Sequence, residues 1–260
     1  MVDKLKAFWL YRELLYNLTT REIKARYKQS ILGYFWVILN PFAQMLVMTF
    51  VFSVIARIPS LGVPYAIFLY VALLPWNFFA ASLLSSVNSL VGNSSLITKI
   101  YFPREILVYA TIAAKIVDFL LASTILVLFM IYFNIPVKIS ILWVPVIFLI
   151  QLIFTLGLSL VLSAFNLFYR DVQYLLNLVI ILWMYLTPVI YPVEMIPAQF
   201  RFILSLNPMA VFINAYRQVI LGGSQPNLNS LGIGLMSSIC VFIVGFSLFK
   251  KLEGVFSDVV

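Results

Sequence analysis

Two ionisable side chains, Lys115 and Asp118, lie three positions apart inside one long apolar run. On a helix that spacing sets them on one face, within reach of each other. Charges inside a membrane-length segment are costly and normally face the protein interior or water. The couple reads either as an ion pair locking helices together or as a polar spot beside a transport path. A self-paired lysine and aspartate needs no ligand, which favours the first. A second charged couple, Arg170 and Asp171, precedes another apolar run. It is either the mouth of a channel or a plain helix boundary, the boundary being the simpler reading. Other chemistry is scarce. The chain has no histidine, hence neither the commonest metal ligand nor the commonest general base. Its single cysteine, Cys240, sits in an apolar run and cannot form an intrachain disulfide. None of the ten glycines is followed by lysine, so the phosphate-cradling loop of P-loop ATPases is missing. These features assign no catalytic residue and no metal site.

The elements that must position these charges are membrane helices. The 260 residues are 63% hydrophobic and only 10% charged, where a soluble domain is nearer half apolar and a quarter charged. The expected class is an all-α polytopic membrane protein forming one membrane domain. The N-terminal stretch is charged and amphipathic, so a cleavable signal peptide is not expected. A net charge of +8 points to loops facing anionic lipid, not to nucleic acid.

Residues 1–33 carry seven basic and three acidic side chains. Leu5, Phe8, Tyr11, Leu15 and Leu18 recur at helical spacing, with Trp9 and Tyr16 as interfacial aromatics, which describes an amphipathic surface helix. Thr19-Thr-Arg-Glu22 has the form of a capping box that starts a second helix. On that helix Arg21, Lys24 and Lys28 form one stripe and Ile23, Tyr27 and Ile31 another, fit for lipid headgroups or for a cytosolic partner. Six spans are expected, over about 34–56, 65–90, 105–133, 141–165, 172–190 and 228–249, since roughly 20 apolar residues cross a bilayer. Asn40-Pro41 is expected to kink the first span and Pro75 to interrupt the second.

Two stretches between spans carry structure of their own. In Gly92–Pro103 the glycine ends a helix, Asn93 or Ser94 caps the next and Pro103 stops it. Leu96, Ile97 and Ile100 then share an apolar face suited to a groove on another protein, or to the headgroup layer. Residues 195–221 read as two short amphipathic helices, the second opened by Asn207-Pro208 and ended by Gly222-Gly223. They dip into the outer interface or fold back into the bundle. With a cytosolic N-terminus, twelve basic residues fall inside and four outside, the latter being Arg57, Lys138, Arg201 and Arg217. Both termini are therefore expected in the cytosol.

A series of stretches along the chain resembles the permease subunit of type-2 ABC exporters, in the branch that exports O-antigen, capsule or teichoic acid. They are Arg26-Tyr-Lys-Gln-Ser-Ile-Leu-Gly-Tyr-Phe-Trp36 with Asn40-Pro41, Leu74-Pro-Trp-Asn-Phe-Phe79, and Lys99-Ile-Tyr-Phe-Pro-Arg-Glu105. Phe168-Tyr-Arg-Asp-Val172, Tyr185-Leu-Thr-Pro-Val-Ile-Tyr191 and Asn207-Pro208 complete it. The resemblance implies residues 1–33 as an interface segment and 34–260 as a six-helix transmembrane domain. It implies a homodimer of permeases joined to two ATP-hydrolysing subunits, which bind the ATP and magnesium; no cofactor is expected in this chain. It further implies a coupling helix near 93–103, involving Asn93, Leu96, Ile97, Lys99, Ile100 and Tyr101. An interface helix with Arg21, Lys24, Tyr27 and Lys28 would lie beside it, and an outer gate at 195–221. The first and fifth spans would flank a central channel for a lipid-linked glycan. Aromatic rings offer stacking faces to sugars, and the candidates are Phe35, Trp36, Phe42, Trp76, Trp183 and Tyr185. Each could equally belong to the interfacial aromatic belt. A drug or lipid exporter of the same build, and a partner-independent channel, are the rival readings.

Overall fold

The computed structural model describes residues 11–27, 30, 32–60 and 62–259. Among these the chain is helical, with no strand. The helices are α1 (Arg12–Tyr27), α2 (Phe35–Thr49, continued by a π-helical stretch Phe50–Ile55), α3 (Tyr65–Ser86) and α4 (Ser94–Lys99). They continue with α5 (Glu105–Tyr132), α6 (Trp143–Phe168), α7 (Val172–Leu186) and α8 (Arg201–Leu206). The last are α9 (Pro208–Ile220), α10 (Leu228–Leu252) and the short α11 (Phe256–Val259).

Helix α3 is the axis of the bundle. It is apolar on every side, and 83% of its most apolar window is buried within the chain, as expected of a helix without a polar face. Helices α2, α5, α6, α7 and α9 all touch it. The other spans bury one face and leave the rest outward. The extreme is α2 with its π extension, only 6% buried in the same measure. Helices α6 and α10 form the closest pair: Gly157 and Gly245 face each other there without side chains, and their backbones meet.

Among the described residues five helices are long and apolar enough to cross a membrane: Phe35–Ile55, Tyr65–Ser86, Glu105–Tyr132, Ile139–Phe168 and Leu228–Val255. The expected fifth span, 172–190, is shorter. Helix α7 has 15 residues, about 22 Å at 1.5 Å per residue, against a hydrocarbon core of about 30 Å. It stops because Thr187 precedes a proline, and such a residue is pushed out of the α region; Thr187 is extended, at ψ 136°. Pro188, Val189 and Ile190 then turn inward and are buried.

Two local expectations need correction. Thr19 does not cap a new helix: α1 runs unbroken from Arg12 to Tyr27, and Thr19 Oγ1 donates back to Leu15 O at 2.8 Å. Here tertiary packing outweighs the capping signal: α1 lies on α5 with Leu18 buried. Pro75 does not interrupt α3, which passes through it. Packing all round holds the helix, and Gln151 Nε2 of α6 donates to Pro75 O at 2.8 Å. Pro41 lies inside α2, which is followed by the π stretch Phe50–Ile55. Residues 1–10, where Leu5, Phe8 and Trp9 fall, lie outside the described residues.

Candidate functional site

One end of the bundle gathers α1, α4, the start of α5 and the C-terminal segment. The expected coupling helix is shorter than 93–103. It spans Ser94–Lys99, with Ile100 already extended. Asn93 occupies the N-cap position, but its side chain bonds elsewhere. Its Nδ2 donates to Ser89 O at 2.8 Å, and its Oδ1 accepts from Arg21 of α1. Arg21 thus ties α1 to the turn before α4. The proposed apolar face divides. Ile97 is 3% exposed, packed in a cluster with Leu18, Phe102 and Phe256. It is a core residue covered from within the chain, so it is not part of a free face suited to a partner's groove or to headgroups. Ile100 is 58% exposed and Tyr101 97% exposed, and Lys99 is exposed as well. Lys24 is exposed on α1. Lys28 and the side chain of Tyr27 lie outside the described residues.

The C-terminal segment is fastened to this end. Lys250 Nζ of α10 bonds Glu105 Oε2 at 2.7 Å and Glu253 Oε2 at 2.8 Å. Arg104 N donates to Glu253 Oε1 at 3.0 Å. Phe249 and Phe256 are fully buried there, and α11 touches α4. The sequence offered no periodic signal for this link, because its partners are some 145 positions apart.

Lys115 and Asp118 pair at 3.6 Å, as the spacing suggested. A third member comes from outside the run: Arg26, near the end of α1, also binds the Asp118 carboxylate. Arg26 is legible only as part of the stretch from Arg26 to Trp36, with nothing local to indicate its partner. The three charges border a cavity of about 290 Å³ between α1, α2, α3 and α5, with Asn40, Gln44 and Asn77 on its wall. Asn77 Nδ2 donates to Gln44 Oε1 at 2.9 Å.

The aromatic candidates separate into two groups. Trp76 is 2% exposed and is not a channel surface of this chain. It stands edge-on to Trp183, with ring centroids 6.5 Å apart. Trp183 also meets Phe79 edge-on, at 5.2 Å, and donates its Nε1 to Asn207 Oδ1 at 3.0 Å. Phe42 stacks on Phe129 at 6.3 Å. Phe35, Trp36 and Tyr185 are exposed.

Arg170 and Asp171 are both exposed, at the boundary between α6 and α7. Neighbouring Asn166 holds that turn. It is buried, donates Nδ2 to Val87 O at 3.0 Å, and accepts from Gln173 N at 3.1 Å.

At the opposite end, the two expected short helices behave differently. Helix α8 is exposed, whereas α9 folds back against α3, α6 and α10 with most of its residues buried. Asn207 caps α9 as expected, accepting from Met209 N at 3.1 Å, and also donates to Thr187 Oγ1 at 2.9 Å. Arg217, counted from sequence as a loop cation, is 8% exposed. It donates to Pro188 O and Val189 O, both at 2.6 Å. Its guanidinium lies 3.7 Å above the Phe68 ring. Burial pushes its pKa down to about 9, with Tyr65 and Glu194 opposing the shift, so it stays cationic at neutral pH. Tyr65 Oη donates to Ile190 O at 2.7 Å. The inward turn after α7 is thus held by its carbonyls.

Among the described residues, a helical bundle with five membrane-length apolar helices, helix α1 beside a short loop helix, and a folded-back α9 before the last span describes a multi-pass membrane protein. The chain belongs to the ABC-2 type transporter family, whose model matches residues 13–221. It is 33% identical over 248 residues, 95% of each chain, to an O-antigen export system permease protein RfbA of Klebsiella pneumoniae. It is 33% identical over 261 residues, 99% of each chain, to the protein of the same name from Myxococcus xanthus. Similarity to the polysialic acid transport protein KpsM of Escherichia coli is 23% over 243 residues, covering 91% of this chain and 92% of that one.

Proposed function

We infer that this chain is the permease half of an ATP-driven exporter that moves a lipid-linked polysaccharide across the cytoplasmic membrane. The observation that carries the reading is the 33% identity over nearly the full length to O-antigen export permeases. The three relatives are named for O-antigen export or polysialic acid transport, which favours a glycan over the drug reading.

The machine would be a dimer of this chain with two ATP-binding subunits, which hold the ATP and magnesium that this chain has no loop to bind. The outward apolar faces of α2 and α7, including Val47, Val54, Leu178 and Leu182, support a channel between two copies flanked by those helices. With both termini cytosolic, the exposed Lys99, Ile100 and Tyr101 would meet the ATPase. Arg21 and Asn93 would brace that contact, and Lys24 would widen it. ATP-driven closure would push on α4. The buried Ile97 and the Lys250–Glu105 link would carry the push into α5 and α10. Helices α8 and α9 would gate the outer end, and the exposed Phe35, Trp36 and Tyr185 are the remaining stacking candidates for sugars.

The test is genetic. A strain lacking this gene should accumulate undelivered lipid-linked glycan in the inner leaflet, and plasmid-borne wild-type protein should restore surface glycan. Normal surface glycan in the deletion strain would reject the assignment.

A further inference from the structure

The cavity bordered by Arg26, Lys115 and Asp118 has the makings of a ligand site. Among the side chains that line it, two cations share one carboxylate. Among the described residues the second terminal nitrogen of Arg26, Nη2, is buried without a hydrogen-bond partner. A buried guanidinium nitrogen left bare is costly, so it marks a place where an acceptor belongs. Glu22 of α1 pairs with Arg21 at 3.7 Å and does not border the cavity, although its charge also reaches Lys115. Asn40 and Gln44 of α2 add amide groups to the wall, and Trp36 adds an exposed ring.

Position narrows the ligand. Lys115 lies about 15 Å along α5 from Glu105, at 1.5 Å per residue, so the charges stand within the span. Ionisable groups at that depth are functional by default. Of the five membrane-length helices among the described residues, α2, which forms one wall, is the least covered, so an occupant can reach the cavity past it. A volume of about 290 Å³ admits a headgroup but not a polymer. Arginine offers a planar fork that matches phosphate oxygens, and lysine adds a point charge.

We propose that this cavity binds the phosphate-bearing headgroup of a membrane amphiphile, with Arg26 and Lys115 as the anion ligands and Asp118 as the group that positions both. Resting on the exporter reading, it assigns the phosphate linker of the lipid-linked cargo to this cavity.

The test uses the full chain, purified in neutral detergent without an ATPase subunit. Binding of dioctanoyl phosphatidic acid, dioctanoylglycerol and inorganic phosphate is followed by native mass spectrometry and by the Trp36 contribution to fluorescence. Phosphatidic acid should bind at least about tenfold more tightly than either other probe. Arg26→Gln and Lys115→Gln should each weaken it about tenfold, the range for a lost charge-assisted bond. Asp118→Asn should tighten it about threefold, because it removes the opposing charge; a merely structural ion cluster would give no gain. Ala81→Phe, which fills the cavity and leaves every charge in place, should abolish binding and covers the case in which a charge variant fails to fold. Equal affinity for inorganic phosphate would overturn the amphiphile assignment. Equal affinity for dioctanoylglycerol, or indifference to all four variants, would overturn the site. A chain that restores surface glycan yet binds no probe overturns the site alone. One that binds phosphatidic acid but restores no glycan overturns the exporter reading instead.

Discussion

The pairing of α6 with α10 is open to a sharp perturbation, Gly157→Ala. A β-carbon at Gly157 would lie 2.7 Å from both Phe242 Cα and Phe242 N, and 2.8 Å from Val241 C. Ordinary carbon–carbon contact is about 3.5–4.0 Å, so α10 must retreat by about 1 Å. The obstructing atoms are backbone, and no rotamer change relieves them. The reciprocal Gly245→Ala meets the Gly157 backbone in turn, its β-carbon 3.0 Å from Gly157 C. Overpacking of this kind costs about 1–3 kcal/mol. At about 2–4 °C per kcal/mol for a chain of this size, either variant should melt about 2–12 °C below wild type. The readout is thermal unfolding in detergent, followed by size-exclusion recovery. Gly232→Ala on the same helix is the control: its β-carbon meets nothing within 4 Å, and the gain in helix propensity should leave its melting point unchanged or higher. If Gly157→Ala melts with Gly232→Ala, the close backbone crossing is wrong.

Three further outcomes are expected. Ile97→Asp should unfold the chain or sharply reduce its yield, whereas Ile100→Asp with Tyr101→Ala should leave melting unchanged and abolish co-purification of the ATP-binding subunit. Arg217→Lys should cost about 2 kcal/mol in unfolding free energy, because an ammonium cannot reproduce the fork across Pro188 O and Val189 O; chemical denaturation in detergent measures it. Asn207→Leu leaves Trp183 Nε1 and Met209 N without an acceptor, at about 1–3 kcal/mol. Its signature should be a shift in tryptophan emission together with the lower melting point.

Long apolar runs are read well because hydrocarbon thickness alone sets their length, and five of the six expected spans correspond to membrane-length helices among the described residues, differing by a few residues at their ends. Helix α7 fell short because a dipeptide, Thr187-Pro188, overrode the composition that follows it. Short motifs fared worse where packing opposed them: Thr19 carries a capping pattern, but α1 is held straight against α5. The Lys115–Asp118 pair was legible because both partners sit on one helix. Arg26 and Arg217 were not, since their partners come from distant parts of the chain and a lone arginine in sequence looks like any loop cation. The split of the Leu96, Ile97, Ile100 stripe into a buried and an exposed part follows from where Leu18 and Phe256 come to rest, which no local spacing encodes.

The central claim is that this chain transports and a partner supplies the energy. Its most direct test is ATP hydrolysis in lipid nanodiscs by the chain alone, and by the chain with the ATP-binding subunit encoded beside it, each with and without purified lipid-linked glycan. No hydrolysis is expected from the chain alone, and hydrolysis by the complex should rise when the glycan is added. A chain that forms no complex, or a complex whose hydrolysis ignores the glycan, would contradict that claim.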